Sequence, residues 1–145
     1  MKISDCMTRD VQLARPDMSL HEAAKMMSDC GTGALPVEEN DRLAGMVTDR
    51  DMAIRGLAKG LGPDAKVREV MSGEIRYCFE DDDADDALQM MGEQQIRRMP
   101  VLSREKRLVG IISLGDLSKG ERPQRTGEAL SGISREGGQH SQTAH

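Results

Sequence analysis

Two short stretches carry residue types that could hold a small polar ligand: Thr48-Asp49-Arg50-Asp51, ending RLAGMVTDRD, and Ser113-Leu114-Gly115-Asp116, ending RLVGIISLGD. In each, a hydroxyl residue is followed three positions later by a carboxylate. A hydroxyl can donate and accept, and a carboxylate offers two acceptor oxygens, so the pair suits adjacent hydroxyls of a polar ligand. The same spacing is also a capping box, in which the two side chains close the first turn of a helix and touch no ligand. Either role requires a strand that ends at the hydroxyl and a helix that starts at once. Free first-turn N–H groups and the positive end of the helix dipole would then favour a phosphate. Arg50 and Arg55 could reach such a phosphate, although Arg55 reads equally as a solvated helix residue. Asp49-Arg50 in one stretch against Leu114-Gly115 in the other predicts two unequal sites, with phosphate charge better met by Arg50 in the first.

The elements that must position these residues are written twice. Lys2 matches Lys66, Met7 matches Met71, Ala23 matches Ala87, Met26-Met27 match Met90-Met91 and Pro36-Val37 match Pro100-Val101, all at one constant offset. One extra residue in the second turn then brings Arg42-Leu43, Gly45 and Asp51 into line with Arg107-Leu108, Gly110 and Asp116. In the first copy, Ser19 as N-cap with Glu22 three residues on predicts a helix whose stripe is Leu20, Ala23, Ala24 and Met27. In the second, Asp83 takes the cap position, Asp86 that of Glu22, and Ala84, Ala87, Leu88 and Met91 form the stripe. GALPV with LAGMVT, and RRMPV with LVGIIS, read as strand pairs. Gly45 and Gly110 are expected to permit a close backbone approach or a sharp strand geometry. DRDMAIRGLAK reads as a helix offering Met52, Ile54, Leu57 and Ala58 for packing, closed by GLGPD. The second copy shows no comparable helix, since LSKGERPQRTG breaks early with Gly and Pro.

The expected organisation is residues 1–61 as the first repeat, 62–119 as the second and 120–145 as a disordered tail poor in apolar anchors. A copy of about sixty residues is near the lower limit for burying a core alone. The two are therefore expected to pack as one globular unit rather than as independent beads.

Other chemistries find little support. The cysteines, Cys6, Cys30 and Cys78, are three in number and widely spaced, so neither a disulfide framework nor a zinc ribbon is encoded and buried inert thiols are expected. The run EDDDADD, Glu80 to Asp86, reads as an acidic helix start before it reads as a cation site. His21 stands alone in a first helical turn, with His140 and His145 in the tail, so no metal-binding spacing is formed. No nucleophilic constellation, Walker loop or dinucleotide fingerprint occurs, and no enzyme is expected. The formal charge of -5 argues against a general affinity for nucleic acid or anionic membranes. The N-terminus lacks a secretory apolar run and no stretch is long enough to span a bilayer, so a cytoplasmic protein is expected. With one Tyr, one Phe and no Trp, the core must be built from Met, Leu, Ile, Val and Ala.

The ordered set of a Met-Thr or Met-Ser start, a capped Ala-rich helix, an Xaa-Pro-Val strand and Gly-hydrophobic-x-Thr/Ser-x-x-Asp resembles the CBS domain. CGTGALPV with GMVTDRD and IRRMPV with GIISLGD carry the likeness, which covers residues 1–119 as a tandem pair, or Bateman module. The resemblance implies an α/β (α+β) fold of two β-α-β-β-α repeats packed with pseudo-two-fold symmetry, with two clefts between them. It implies a regulatory module without catalysis that binds AMP, ADP, ATP or S-adenosylmethionine and needs no cofactor. By family position the ligand-binding residues would be Thr48, Asp51, Ser113 and Asp116, with Arg50 and Arg98 nearby. Ala34, Leu35, Met99, Val11 and Ile75 would help line the base pockets. A homodimer is expected because such modules commonly associate into discs. The alternative is a ligand-independent dimeric scaffold that docks a protein partner.

Overall fold

The computed structural model describes residues 1–119 and 123–135. In chain order, α1 spans Leu20–Cys30, β1 Ala34–Glu39, β2 Arg42–Thr48 and α2 Asp49–Asp51. They are followed by β3 Cys78–Phe79, α3 Ala84–Gln94, β4 Arg98–Leu102, β5 Leu108–Ser113, α4 Leu114–Ser118 and α5 Pro123–Ile133. The chain is thus a mixed α+β protein in which both copies keep the same element order. Two compact units form, one from Asp10–Ile75 and the other from Met1–Arg9 with the chain from Arg76 onward.

In the Asp10–Ile75 unit, β1 and β2 pair antiparallel with Ala34 opposite Thr48 and Val37 opposite Gly45. Asn40 and Asp41 make the turn with φ 54 and 60, the left-handed conformations that a two-residue hairpin turn requires. Ser19 caps α1 by accepting from the Glu22 N–H at 3.1 Å, and Gly31 ends it in the left-handed region at φ 65. Leu20, Ala23 and Met27 bury the predicted stripe, whereas Ala24 is exposed, lying one step round the helix from the core. The leading strand that the resemblance implies shrinks to one parallel bridge, Ala14 with Val37. Pro16 explains this, having no N–H with which to extend the ladder. In the other copy the corresponding Glu80 N–H donates to Leu102 O at 3.0 Å, and β3 runs parallel to β4.

Beyond α2 the chain continues through a π-helical turn, Met52–Gly56, and a 3-10 turn, Leu57–Lys59. Its packed side is Gly56, where a Cβ would meet Leu20 Cδ1 at 3.4 Å and Val70 Cγ1 at 3.6 Å. The wider π turn changes the face presented to the core. Met52 packs as expected, but Ile54 is 48% and Leu57 75% exposed, and Ala58 is exposed too.

The segment that leads each copy docks on the other copy's strands. Ile3, within a 3-10 turn, is fully buried among Leu88, Met91, Met99, Val101 and Ile112, and Thr8 bridges Ile111. Val67 and Val70 are fully buried among Leu35, Val37 and Val47, and Ser72 bridges Met46.

Part of the segment expected to be disordered is α5, which packs on α3 and buries Ala129 and Ile133 in the second core. The contact depends on small residues: a Cβ at Gly132 would lie 2.7 Å from Gly92 O, and one at Gly92 would lie 3.3 Å from Ala129 Cα. Buried Gln95, in the left-handed region at φ 57, donates through Nε2 to Gly132 O at 3.1 Å and to Arg135 O. Two spaced apolar anchors and a side-chain cap are enough to order this helix against a neighbour, although composition alone reads as a tail. The rest of the expected tail, residues 120–122 and 136–145, lies outside the described residues.

Candidate functional site

Each Thr/Ser-x-x-Asp motif stands where β2 or β5 hands over to α2 or α4, and both close as reciprocal boxes. The Thr48 N–H donates to Asp51 Oδ2 at 3.0 Å and the Asp51 N–H to Thr48 Oγ1 at 3.0 Å. The Ser113 N–H donates to Asp116 Oδ2 at 3.0 Å and the Asp116 N–H to Ser113 Oγ at 3.0 Å. Each hydroxyl oxygen therefore accepts from the protein and keeps its own proton for another acceptor, while each carboxylate keeps Oδ1. Asp51 Oδ1 is 3.9 Å from Arg55 Nε, whose guanidinium also donates to Met71 O through Nη1 at 3.5 Å.

The first-turn amides are less open than the motif alone suggests. The Asp49 N–H donates to Gly33 O at 2.9 Å and the Arg50 N–H to Asp49 Oδ1 at 2.8 Å, so with Asp51 the whole first turn of α2 is bonded within the chain. In the second motif the Leu114 N–H donates to Arg97 O at 2.8 Å, and Leu114 has no carboxylate to turn back on the Gly115 amide.

Cross-strand pairing sets what stands beside each hydroxyl. Ala34 is opposite Thr48, and Arg98 is opposite Ser113. Leu35 and Met99, the next residues along, are 1% and 0% exposed and belong to the hydrophobic cores, so any ligand edge they offer is backbone. Arg50 is exposed, and Val11 and Ile75 are half-buried in loops of the Asp10–Ile75 unit. That unit therefore holds Thr48, Asp51, Arg50, Ala34, Leu35, Val11 and Ile75, while the other holds Ser113, Asp116, Arg98 and Met99.

Sequence reasoning missed the Gly33–Asp49 contact. A Cβ at residue 33 would lie 2.7 Å from Asp49 Oδ2, so the carboxylate occupies the room that a side chain would need. The signal was in the repeat alignment, where Arg97 stands for Gly33 and Leu114 for Asp49.

The remaining candidates resolve plainly. Cys78 is buried, and burial, helped by the Asp82 charge, pushes its thiol up to about 12. Cys6 is half-buried and its thiol is raised by burial and by Asp116 and Asp5. Cys30 is exposed, contrary to the expectation of burial, as the last residue of α1. In the acidic run, Asp83 caps α3 by accepting from the Asp85 N–H at 2.9 Å, Asp82 accepts from the Phe79 N–H at 2.9 Å, and Asp81 pairs with Arg104 at 2.8 Å. The Arg104 hydrogen bond holds the Asp81 carboxyl below its usual range. Arg104 also stacks over the Phe79 ring, 4.2 Å from its centroid. Among the described residues no three His, Cys, Asp or Glu side chains are grouped to hold a metal ion, and no helix is long and apolar enough to cross a membrane. A groove of about 360 Å³ between α3 and α5, lined by Leu88, Gln89, Gly92 and Glu128 among others, contains none of the motif residues.

The CBS domain family model matches residues 3–55 and 67–121. The protein YlbB of Bacillus subtilis is 41% identical over 136 residues, 92% of this chain and 91% of that protein. The CBS domain-containing protein YhcV of the same organism is 40% identical over 133 residues, 91% of this chain and 94% of its own length. Among solved structures, the CBS domain pair of protein MJ0100, in complex with methylthioadenosine and S-adenosyl-L-methionine, superposes with a TM-score of 0.74. It is 27% identical, with 82% of this chain and 94% of that chain covered.

Proposed function

The chain belongs to the CBS domain family, and from that premise we propose that it is a regulatory module without catalysis that binds adenosine-containing ligands at its two Thr/Ser-x-x-Asp boxes. The observation that carries this reading is the duplication of one hydrogen-bonding geometry, with all four box distances at 3.0 Å. Each box presents one hydroxyl donor beside one carboxylate acceptor, which is what a ribose diol or a ribose and its 5' substituent would meet. The related MJ0100 pair holds two adenosine-containing ligands, which supports the same class here. Signalling would follow from a difference in ligand affinity between two states of the protein, the only free energy a ligand can contribute to a switch.

A thermal-shift panel of AMP, ADP, ATP and S-adenosylmethionine tests this reading. A ligand at one hundred times its Kd is expected to add about 2.7 kcal/mol, a rise of roughly 5–10 °C for a chain of this size. Asp51→Ala and Asp116→Ala are each expected to remove part of that rise, and the double variant nearly all of it. No shift with any of the four ligands would remove the basis of the proposal, and a shift untouched in the double variant would remove these two carboxylates from it.

We further propose that the chain acts as a homodimer through the helical run after α2. Ile54 and Leu57 are large apolar side chains, 48% and 75% exposed, on this run. Ile54→Arg/Leu57→Arg is expected to turn a dimer into a monomer in sedimentation equilibrium. A wild-type chain that sediments as a monomer would refute this assignment, as would a double variant that stays dimeric.

A further inference from the structure

The two boxes sit in unequal electrostatic surroundings, a difference that bears on ligand choice once the adenosine-ligand reading above is adopted. Directly opposed residues of an antiparallel pair project from one face, so the residue across from each hydroxyl stands beside the box. In one site it is Ala34, 4% exposed; in the other it is Arg98, exposed. The preceding residue repeats the contrast, with Gly33 in the first and an exposed Arg97 in the second. Gly33 leaves room for the Asp49 carboxylate, which accepts from the Arg50 amide at 2.8 Å and adds a second acid to the first turn that carries Asp51. At the equivalent positions Leu114 carries no charge and its N–H ties it to Arg97 O at 2.8 Å. Asp49 and Asp51 thus balance Arg50 and Arg55 around the first box. Around the second, Arg98 stands across from Ser113 with Arg97 preceding it, and neither guanidinium is in an ion pair among the described residues.

We propose that the Ser113–Asp116 site takes the polyphosphate-bearing adenosine ligand and the Thr48–Asp51 site an adenosine ligand without phosphates. The specificity determinants are the pairs Arg97/Arg98 and Gly33/Asp49. A planar guanidinium pairs well with phosphate oxygens, whereas a carboxylate fixed beside the ribose box repels them and leaves an uncharged nucleoside unaffected. The discrimination is electrostatic, so the affinity of the second site for the anion should fall as salt is raised.

Isothermal titration of the full chain with ATP and with adenosine tests the assignment. Arg97→Ala/Arg98→Ala, two exposed positions whose loss leaves the cores intact, is expected to weaken ATP by tenfold or more in order of magnitude and to change adenosine by less than about twofold. Asp49→Leu, which copies the second motif, is expected to strengthen ATP binding at the first box and to raise its stoichiometry. Binding of both ligands with ATP affinity unchanged in the double arginine variant would overturn the sorting while leaving the adenosine reading standing. ATP binding that is lost in Asp51→Ala but kept in Asp116→Ala would do the same. A wild-type chain that binds neither ligand would overturn both.

Discussion

Gly45→Ala and Gly110→Ala are each expected to destabilise the protein by about 3–5 kcal/mol, a large share of the roughly 5–15 kcal/mol that holds a typical domain together. Neither glycine has a positive φ, so backbone conformation is not what excludes alanine. The obstacle is the chain docked against each strand. A Cβ at residue 45 would lie 2.3 Å from Ser72 O, and one at residue 110 would lie 2.6 Å from Thr8 O and 2.9 Å from Met7 Sδ. Backbone oxygens cannot rotate away as a side chain would, so the docked segment must move bodily. Moving it breaks a reciprocal hydrogen-bond pair in each case: Met46 with Ser72 at 3.0 and 2.9 Å, or Thr8 with Ile111 at 2.9 Å in both directions. The segments in question also bring Ile3, Val67 and Val70 into the cores, so the damage spreads beyond the clash. Chemical denaturation measures the loss, and Gly127→Ala is the control. Nothing lies within 4 Å of a Cβ at Gly127, and that helical position should gain from alanine. A Gly45→Ala protein within about 0.5 kcal/mol of wild type would show that the Ser72 segment is not pinned to β2.

Gly132→Ala is expected to lift α5 from α3 and leave the rest of its unit folded. The new Cβ would lie 2.7 Å from Gly92 O, 2.9 Å from Gly92 Cα and 3.0 Å from Gly92 C, all backbone of a helix that cannot yield locally. Undocking exposes Ala129 and Ile133 and frees Gln95 from the carbonyls of Gly132 and Arg135. Together these should remove about 2–4 kcal/mol of local stability. Hydrogen exchange should show α5 amides losing protection while β4 and β5 amides keep theirs. Gln95→Gly separates the two parts of the contact. It relaxes a left-handed backbone that the equivalent Gly31 adopts at φ 65 without strain, yet removes the amide that caps α5. Loss of α5 protection in that variant identifies the side chain as the anchor, and retained protection would assign α5 docking to the small-residue contact alone.

The parts of the molecule that were legible in the amino-acid sequence are those decided within one turn or one hairpin. Thr48 with Asp51 and Ser113 with Asp116 lie three residues apart, and their boxes close regardless of what surrounds them. Ser19, Asp83 and the stripes of Leu20, Ala23, Met27 and of Ala84, Ala87, Leu88, Met91 follow from helical period alone. The close approach at Gly45 and Gly110 was also legible, because a repeated glycine inside a strand pattern needs a neighbour that excludes a side chain. What approaches was not. Nothing local to LAGMVT points to Ser72, and nothing in MKISDC points to Ile111.

Long-range contacts also account for the readings that changed. Ile54 and Leu57 have the spacing of a core face, but the π turn between Met52 and Gly56 rotates the helical run so that Gly56 packs in their place. Pro123–Ile133 lacks the density of apolar residues that marks a helix, and its order comes from Gly92, Gln95 and the second core. The sequence points to Arg50 for phosphate at the first box, and the structure adds only that the Asp49 carboxylate lies against Gly33 and accepts from the Arg50 N–H.

By itself, then, the sequence determined the duplication, the order of helices and strands in each copy, the two hydroxyl–carboxylate boxes and the family to which they belong. All of these are encoded in residue identities at short or repeated spacing. The tertiary structure alone decided which strands the leading segments dock on, that α5 closes over α3, and that the Asp49 carboxylate lies against Gly33. Those outcomes depend on packing between residues far apart in the chain, where a missing Cβ or a fixed carboxylate acts only once its neighbour has been brought to it.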